Sequence, residues 1–268
     1  MSLRIQTNVE AFNAHRNLVG TENKLATAME RLSSGYRINR AADDAAGLAI
    51  SERLQSQIGG LDQAQRNAQD AVSLTQTAEG SLDQVHAMLQ RIRDLAVEYK
   101  NGTLSSTDQS SIQSEVNQLA SEIERIGSSA QFNGIQLLSS ASTISFQIGA
   151  NDGEVISVST ISLGSTLGTA FYSLSSTGTS DISEIDAAIN AVSAQRSTFG
   201  AVENRLNYTL DNASIYEENL TSSESRIKDV DMASEMVNFT KLQILQQAGT
   251  SMLAQANTAS QGVLSLLH

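Results

Sequence analysis

The side chains that could do chemistry are few and poorly placed for it. Histidine occurs at His15, His86 and His268, and cysteine is absent. These positions give no paired-ligand spacing, no HExxH and no thiolate set, so neither a zinc site nor a cysteine nucleophile is expected. Asp43/Asp44 and Glu217/Glu218 are carboxylate pairs, but adjacent residues on a helix diverge, and acid/base work needs convergence. Helix capping and solvation are the reading for both pairs. No GxGxxG or phosphate loop is present. The Asn-x-Ser/Thr patterns at Asn101, Asn207, Asn212, Asn219 and Asn238 occur at the frequency of chance. The chain is therefore expected not to be an enzyme, and to use no metal and no cofactor.

What must be explained is how the charge is distributed. The formal net charge is -12 over 268 residues. Residues 1–40 carry six basic and three acidic side chains, and residues 226–268 carry three of each. That leaves eight basic and 23 acidic side chains for 41–225. An acidic middle disfavours bulk nucleic-acid binding, which needs basic surface. The last 27 residues, from Leu242, contain no Asp, Glu, Lys or Arg. Glutamines interrupt this stretch too often for a membrane span, which needs ~20 mainly apolar residues. A surface helix would normally carry charge on its wet face. An uncharged, amide-rich helix at a chain end is expected to be covered by protein on most sides, and so points to an assembly. The start, MSLRIQTNVEAF, lacks the apolar run of a conventional secretory signal.

Proline and tryptophan are absent and aromatic residues make up 4%. That composition favours long helices. Ala11, Ala14, Leu18, Thr21, Leu25, Ala28 and Leu32 form one heptad seam. Residues 33–46 interrupt it with Gly35 and a charged cluster, where Asp43 and Asp44 suit the start of a second helix. From Leu54 to Tyr99 a second seam keeps strict 3-4 spacing through Leu61, Ala64, Ala68, Ala71, Thr75, Ala78, Leu82, Val85, Leu89, Ile92 and Ala96. Forty-six helical residues span about 69 Å at ~1.5 Å each. A compact globule of this length would be only about 47 Å across, so the expected shape is a rod. Asn101-Gly102 ends that helix and a third starts near Ser106–Asp108. Alternation at Ile144, Phe146 and Ile148, and again over Val155 to Ile161, flanks Asn151-Asp152-Gly153 and predicts a β-hairpin within about 140–162. Residues 163–180 read as a Ser/Thr/Gly loop. A helical seam returns from Ile185 to Val230. The expected fold is mainly α, an elongated antiparallel helical bundle or coiled coil with a small β-hairpin region at its tip. Residues 1–40 and 226–268 would be terminal coiled-coil arms, and 41–225 a helical rod.

Several long stretches resemble a known family. IQTNVEAFNAHRNL and LSSGYRINRAADDAAGLAISERLQSQIGGL (Leu32 to Leu61) are similar to the bacterial flagellin N-terminal signature. QFNGIQLL (Gln131 to Leu138) resembles the turn after the family's third helix. SRIKDVDMASEMVNFTKLQILQQAGTSMLAQAN (Ser225 to Asn257) is similar to its terminal helix. The resemblance covers about 1–160 and 181–268. The loop at 163–180 stands where larger flagellins carry outer domains, so the chain resembles a minimal form. Its ending, Leu266-Leu267-His268, departs slightly from the Arg or Gly endings common in the family.

The resemblance implies a structural subunit that polymerises into the flagellar filament for motility. It implies export through the flagellar type III apparatus to an extracellular filament, with no membrane or nucleic-acid partner. The implied partners are further copies of the chain, the flagellar cap, junction proteins and an export chaperone. The polymerisation seam would comprise Leu18, Leu25, Leu32, Phe239, Leu242, Leu253 and Val263. A lone pair of arms cannot easily offset the roughly 1.5 kcal/mol per residue that ordering costs, so ordering should be coupled to assembly. Gln90, Arg91, Asp94 and Leu95, with Glu115 on the next helix, resemble the patch read by the vertebrate flagellin-sensing Toll-like receptor. Arg91 and Leu95, four apart, would share a face beside the seam, with Leu95 widening the core stripe and Arg91 pairing with an acid across a subunit contact. Two other readings are a hook–filament junction protein, which shares the terminal plan, and a soluble helical adaptor or chaperone. The second would be expected to charge its terminal helices.

Overall fold

The computed structural model describes residues 8–164, 174 and 181–265, with side chains through residue 258. The expected loop at 163–180 lies outside the described residues apart from Leu163, Gly164 and Leu174. The helices are α1 (Val9–Ser34), α2 (Ala45–Tyr99), α3 (Ser106–Ser129), α4 (Asp181–Lys228) and α5 (Met232–Ser265). Four short strands lie between α3 and α4: β1 (Gln131–Phe132), β2 (Ile135–Gln136), β3 (Thr143–Gln147) and β4 (Val155–Ser159). The chain is mainly α with a small antiparallel strand region, as its periodicity predicts. It forms two compact units, one of 1–56 with 219–268 and one of 57–218. The divisions thus fall inside α2 and α4 rather than at 40/41 and 225/226, where the charge changes.

Local chemistry sets the ends of the helices. The Asn8 carboxamide oxygen accepts from Ala11 N–H at 3.0 Å and caps α1. Gly35, at φ 78°, closes it, its N–H donating to Arg31 O at 2.9 Å. Without a Cβ, glycine takes that left-handed backbone at little cost. Ser105 and Asp108 form a reciprocal capping box at α3, and the Ser105 hydroxyl, then its backbone N–H, holds the Asp108 carboxyl below its ordinary range. α4 and α5 are separate helices. Asp231 caps α5 by accepting from Ala233 N–H at 3.0 Å and Ser234 N–H at 3.2 Å.

In the unit of 57–218, α2, α3 and α4 enclose a continuous core. Leu82, Val85, Leu89, Ile92, Val192 and Phe199 have no solvent exposure. Polar bridges fix the α2–α4 register: Gln65 to Glu217 at 2.6 Å, Gln76 to Glu203 at 2.8 Å, Asp83 to Arg196 at 3.0 Å and Arg93 to Asp186 at 2.6 Å. As the α2 number rises the α4 number falls in step, so the helices run antiparallel. The predicted hairpin is β3–β4, with Phe146 opposite Ile156 and Ile144 opposite Val158. Ile156 and Val158 point into the core. Asn67 donates to Gln147 O at 3.0 Å and Gln195 to Ser159 O at 2.7 Å, which ties the hairpin to α2 and α4. A smaller hairpin, β1–β2, turns at Asn133 (φ 48°) and Gly134 (φ 81°). Asn-Gly is the pair that suits two consecutive positive-φ residues.

The small residues of α2 make room for close neighbours. A Cβ on Gly60 would lie 2.9 Å from that of Ala150. Ala64, Ala68, Ala71 and Ala78 are buried. Ala71→Leu should therefore overfill the seam and lower stability by about 1–3 kcal/mol. Gln63 is exposed, and among the described residues its side chain hydrogen-bonds Asn67 and Arg66 of its own helix, so Gln63→Leu should leave thermal melting unchanged. A higher melting temperature for Ala71→Leu would place the seam on another face.

Candidate assembly interface

The unit of 1–56 with 219–268 is built on one pair of long helices, α1 against α5. Their antiparallel register is fixed at several points. Asn8 Nδ2 donates to Ala256 O at 2.8 Å. Leu18 packs onto Gly249, where an added Cβ would lie 3.2 Å from Leu18 Cδ1. Further along, Val230 N–H donates to Gly35 O at 3.0 Å and Arg37 N–H to Lys228 O at 2.7 Å, around a bridge pairing Tyr36 with Asp229. The Lys228 ammonium lies 4.8 Å from the Tyr36 ring centre.

The loop after α1 is held by its own acids. Asp43 accepts from Arg40 N–H at 3.0 Å and Asn39 N–H at 3.1 Å, and these donors, Arg40's first, hold its carboxyl below the ordinary range. Asp44 accepts from Gly47 N–H at 2.8 Å. A side chain on Gly47 would collide with Asp44 and with Ile38, which is itself buried. The Asp43/Asp44 pair is thus a turn and cap device. Glu217 accepts from Gln65. His15 is exposed on α1, and His86 is half-buried on α2 with Nε2 2.9 Å from Gln90 Nε2. His268 lies outside the described residues.

The structure brings the expected seam together on α1 and α5 without burying it. Leu242 is 6% exposed, but Leu18, Leu25, Leu32, Phe239 and Leu253 are only half-buried. Val263 belongs to α5, and its side chain lies outside the described residues. Beside the seam, Phe12 (69% exposed), Val237 (72%) and Met252 (65%) face solvent. Two helices can shield only the stripe between them, so the remaining apolar faces stay open. Met236, Val237, Ile244 and Leu245 form a patch on α5 together with Thr240 and Lys241. No spacing rule identified this outer face, because it lies off the heptad line.

The patch on α2 divides between surface and core. Arg91, Gln90 and Asp94 are exposed, but Leu95 is 2% exposed and belongs to the core. It widens the core stripe as expected, while Arg91 lies on the exposed side. α2 packs against both α3 and α4, so its apolar stripe is wider than a single seam, and Leu74 and Leu95 fill the added width. Arg91 also needs no acid from another subunit: its Nη2 lies 2.8 Å from Glu115 Oε1 of the same chain.

Comparison with known proteins agrees with this architecture. The family model described as bacterial flagellin N-terminal helical region matches residues 5–143. That described as bacterial flagellin C-terminal helical region matches residues 182–267. The chain is 51% identical over 270 residues to the flagellin of Halalkalibacterium halodurans, covering 98% of this chain and 99% of that protein. It is 45% identical over 304 residues to the flagellin of Bacillus subtilis, covering 99% of this chain and all of that protein. The crystal structure of Bacillus cereus flagellin superposes with a TM-score of 0.50 at 34% identity, over 55% of this chain and 88% of that one.

The placement of Leu95 and Arg91 separates packing from surface chemistry. Leu95→Ala should leave a cavity and cost about 2–5 kcal/mol in chemical denaturation. Arg91→Ala removes one exposed ion pair, and its unfolding midpoint should match that of the parent. Equal, small effects of both substitutions would contradict the burial of Leu95.

Proposed function

The chain belongs to the bacterial flagellins, the structural subunits of the flagellar filament, and from that premise we propose how its surfaces are used. The terminal arms, 1–40 and 226–268, form the inner core of the filament, and 41–225 forms the surrounding layer. Neighbouring copies cover the apolar faces of α1 and α5. A repeated head-to-tail contact that does not close generates a helical fibre. The polymerisation seam is Leu18, Leu25, Leu32, Phe239, Leu242, Leu253 and Val263, extended by the outer patch on α5. The observation that supports this most directly is the open apolar surface of the arms beside the sealed core of 57–218. Apolar area of this kind marks an interaction surface.

The chain works as a structural protein rather than as an enzyme. It leaves the cell through the type III export route and meets an export chaperone, the junction proteins and the filament cap. The acidic middle keeps free subunits apart in solution. Gln90, Arg91, Asp94 and Glu115 form the part of α2 and α3 open to the vertebrate flagellin-sensing receptor, and Leu95 supports that surface from beneath. A junction protein or a soluble adaptor is not favoured: the matched family and both relatives named above are flagellins.

Purified subunit added to sheared filament seeds should lengthen them, as seen by electron microscopy. Removing 225–268 should abolish growth and retain one cooperative melting transition, because the core of 57–218 does not use α5. Growth by the truncated chain would place the polymerisation surface elsewhere.

A further inference from the structure

The α1–α5 pair carries a groove whose polar rim stands over two residues of the apolar seam. Ala28 and Leu242 form its floor, 1% and 6% exposed. Lys24 and Arg31 of α1 and Glu235 and Asn238 of α5 stand on its rim. Arg31 Nε is sealed from solvent and has no hydrogen-bond partner. Among the described residues, neither Lys24 nor Arg31 makes an ion pair. The one acid of the lining, Glu235, accepts from Asn238 Nδ2 at 3.4 Å. Asp43 feels the Arg31 charge, but its carboxylate is engaged by the N–H groups of Asn39 and Arg40. A buried N–H without an acceptor costs free energy, and a guanidinium is the side chain best shaped to receive a carboxylate.

We propose that this groove receives an Asp or Glu side chain from a second copy of the chain. The inference rests on the filament reading and deepens it by giving the contact a chemistry. Charge complementarity identifies the occupant. Residues 1–40 hold six basic and three acidic side chains, whereas 41–225 hold 23 acidic against eight basic. Carboxylates are what the rest of the same chain has in excess. An acidic side chain also carries methylene groups that can lie on Ala28 and Leu242 while its oxygens meet Arg31 and Lys24. A small inorganic anion could satisfy only the charge. Apolar burial is non-directional, and a directional charged contact would fix which offset between subunits is accepted.

The test is elongation of wild-type seeds by Lys24→Gln, Lys24→Glu and Arg31→Gln subunits, with the critical concentration read as a function of sodium chloride. Lys24 is exposed, so its variants should fold, which circular dichroism checks. Lys24→Gln and Arg31→Gln should raise the critical concentration about tenfold and flatten its salt dependence, and Lys24→Glu should stop growth at the wild-type concentration. Arg16, exposed on the same helix and bonded to Asn13 among the described residues, is the control, and Arg16→Gln should elongate as wild type does. Wild-type growth and salt dependence in both Lys24 variants would overturn the proposal. So would an Arg16→Gln defect equal to that of Lys24→Gln, since the effect would then be one of net charge. Failure of the wild-type chain itself to extend seeds would instead overturn the filament reading.

Discussion

Two helices cannot enclose a core. Packed side by side they shield one stripe each, and any apolar residue off that stripe remains in water. The unit containing α1 and α5 is built on such a pair. Its seam leucines are half-buried and Phe12, Val237 and Met252 are open. The unit of 57–218 has a third helix and a hairpin, and there a continuous core is sealed, although Tyr208 and Ile215 remain open on its surface. Burial of apolar surface stabilises by about 25 cal/mol per Å², so covering the open faces of the arms would add favourable burial, which on the filament reading neighbouring copies supply. The lack of charge after Lys241 fits that reading, because a charged side chain on a covered face would be costly to desolvate.

The polar contacts are arranged around that constraint. Capping groups at Asn8, Ser105 and Asp231 define where helices begin without adding to the core. The Asp43 and Asp44 carboxylates organise the turn between α1 and α2, and Gly47 lets that turn close onto Ile38. Cross-helix bridges such as Arg93–Asp186 and Gln76–Glu203 set register on a bundle whose Ala-rich stretch would otherwise tolerate slippage. Exposed ion pairs contribute little stability each, and their value here lies in selecting one alignment.

Much of this was legible in the sequence, for identifiable reasons. The α2 seam from Leu61 to Ala96 keeps its spacing without a charge, so both its existence and its buried face could be read. The β3–β4 hairpin was legible from alternation around Asn151-Asp152-Gly153. The β1–β2 turn was not read as a hairpin, although Asn133-Gly134 carries the signal, because two-residue strands show no alternation. The break between α4 and α5 leaves little trace in the periodicity. Asp231 is an ordinary capping residue, but apolar residues on either side continue a helical rhythm across it. Leu95 widens the core stripe, as its position beside the seam implies, because a heptad describes one partner helix and α2 has two. The outer patch on α5 had no periodic signature, since a face that neighbours cover need not follow the seam of its own pair.

The central claim is that the arms complete their packing only in the company of other copies. Amide hydrogen exchange compares this directly between dilute subunit and filament. Residues 9–34 and 232–258 should exchange quickly in the dilute subunit and become strongly protected in the filament. The amides of α2 around Leu82 to Ile92 should be protected in both states. Strong protection of the arms in dilute subunit, unchanged on polymerisation, would contradict the account.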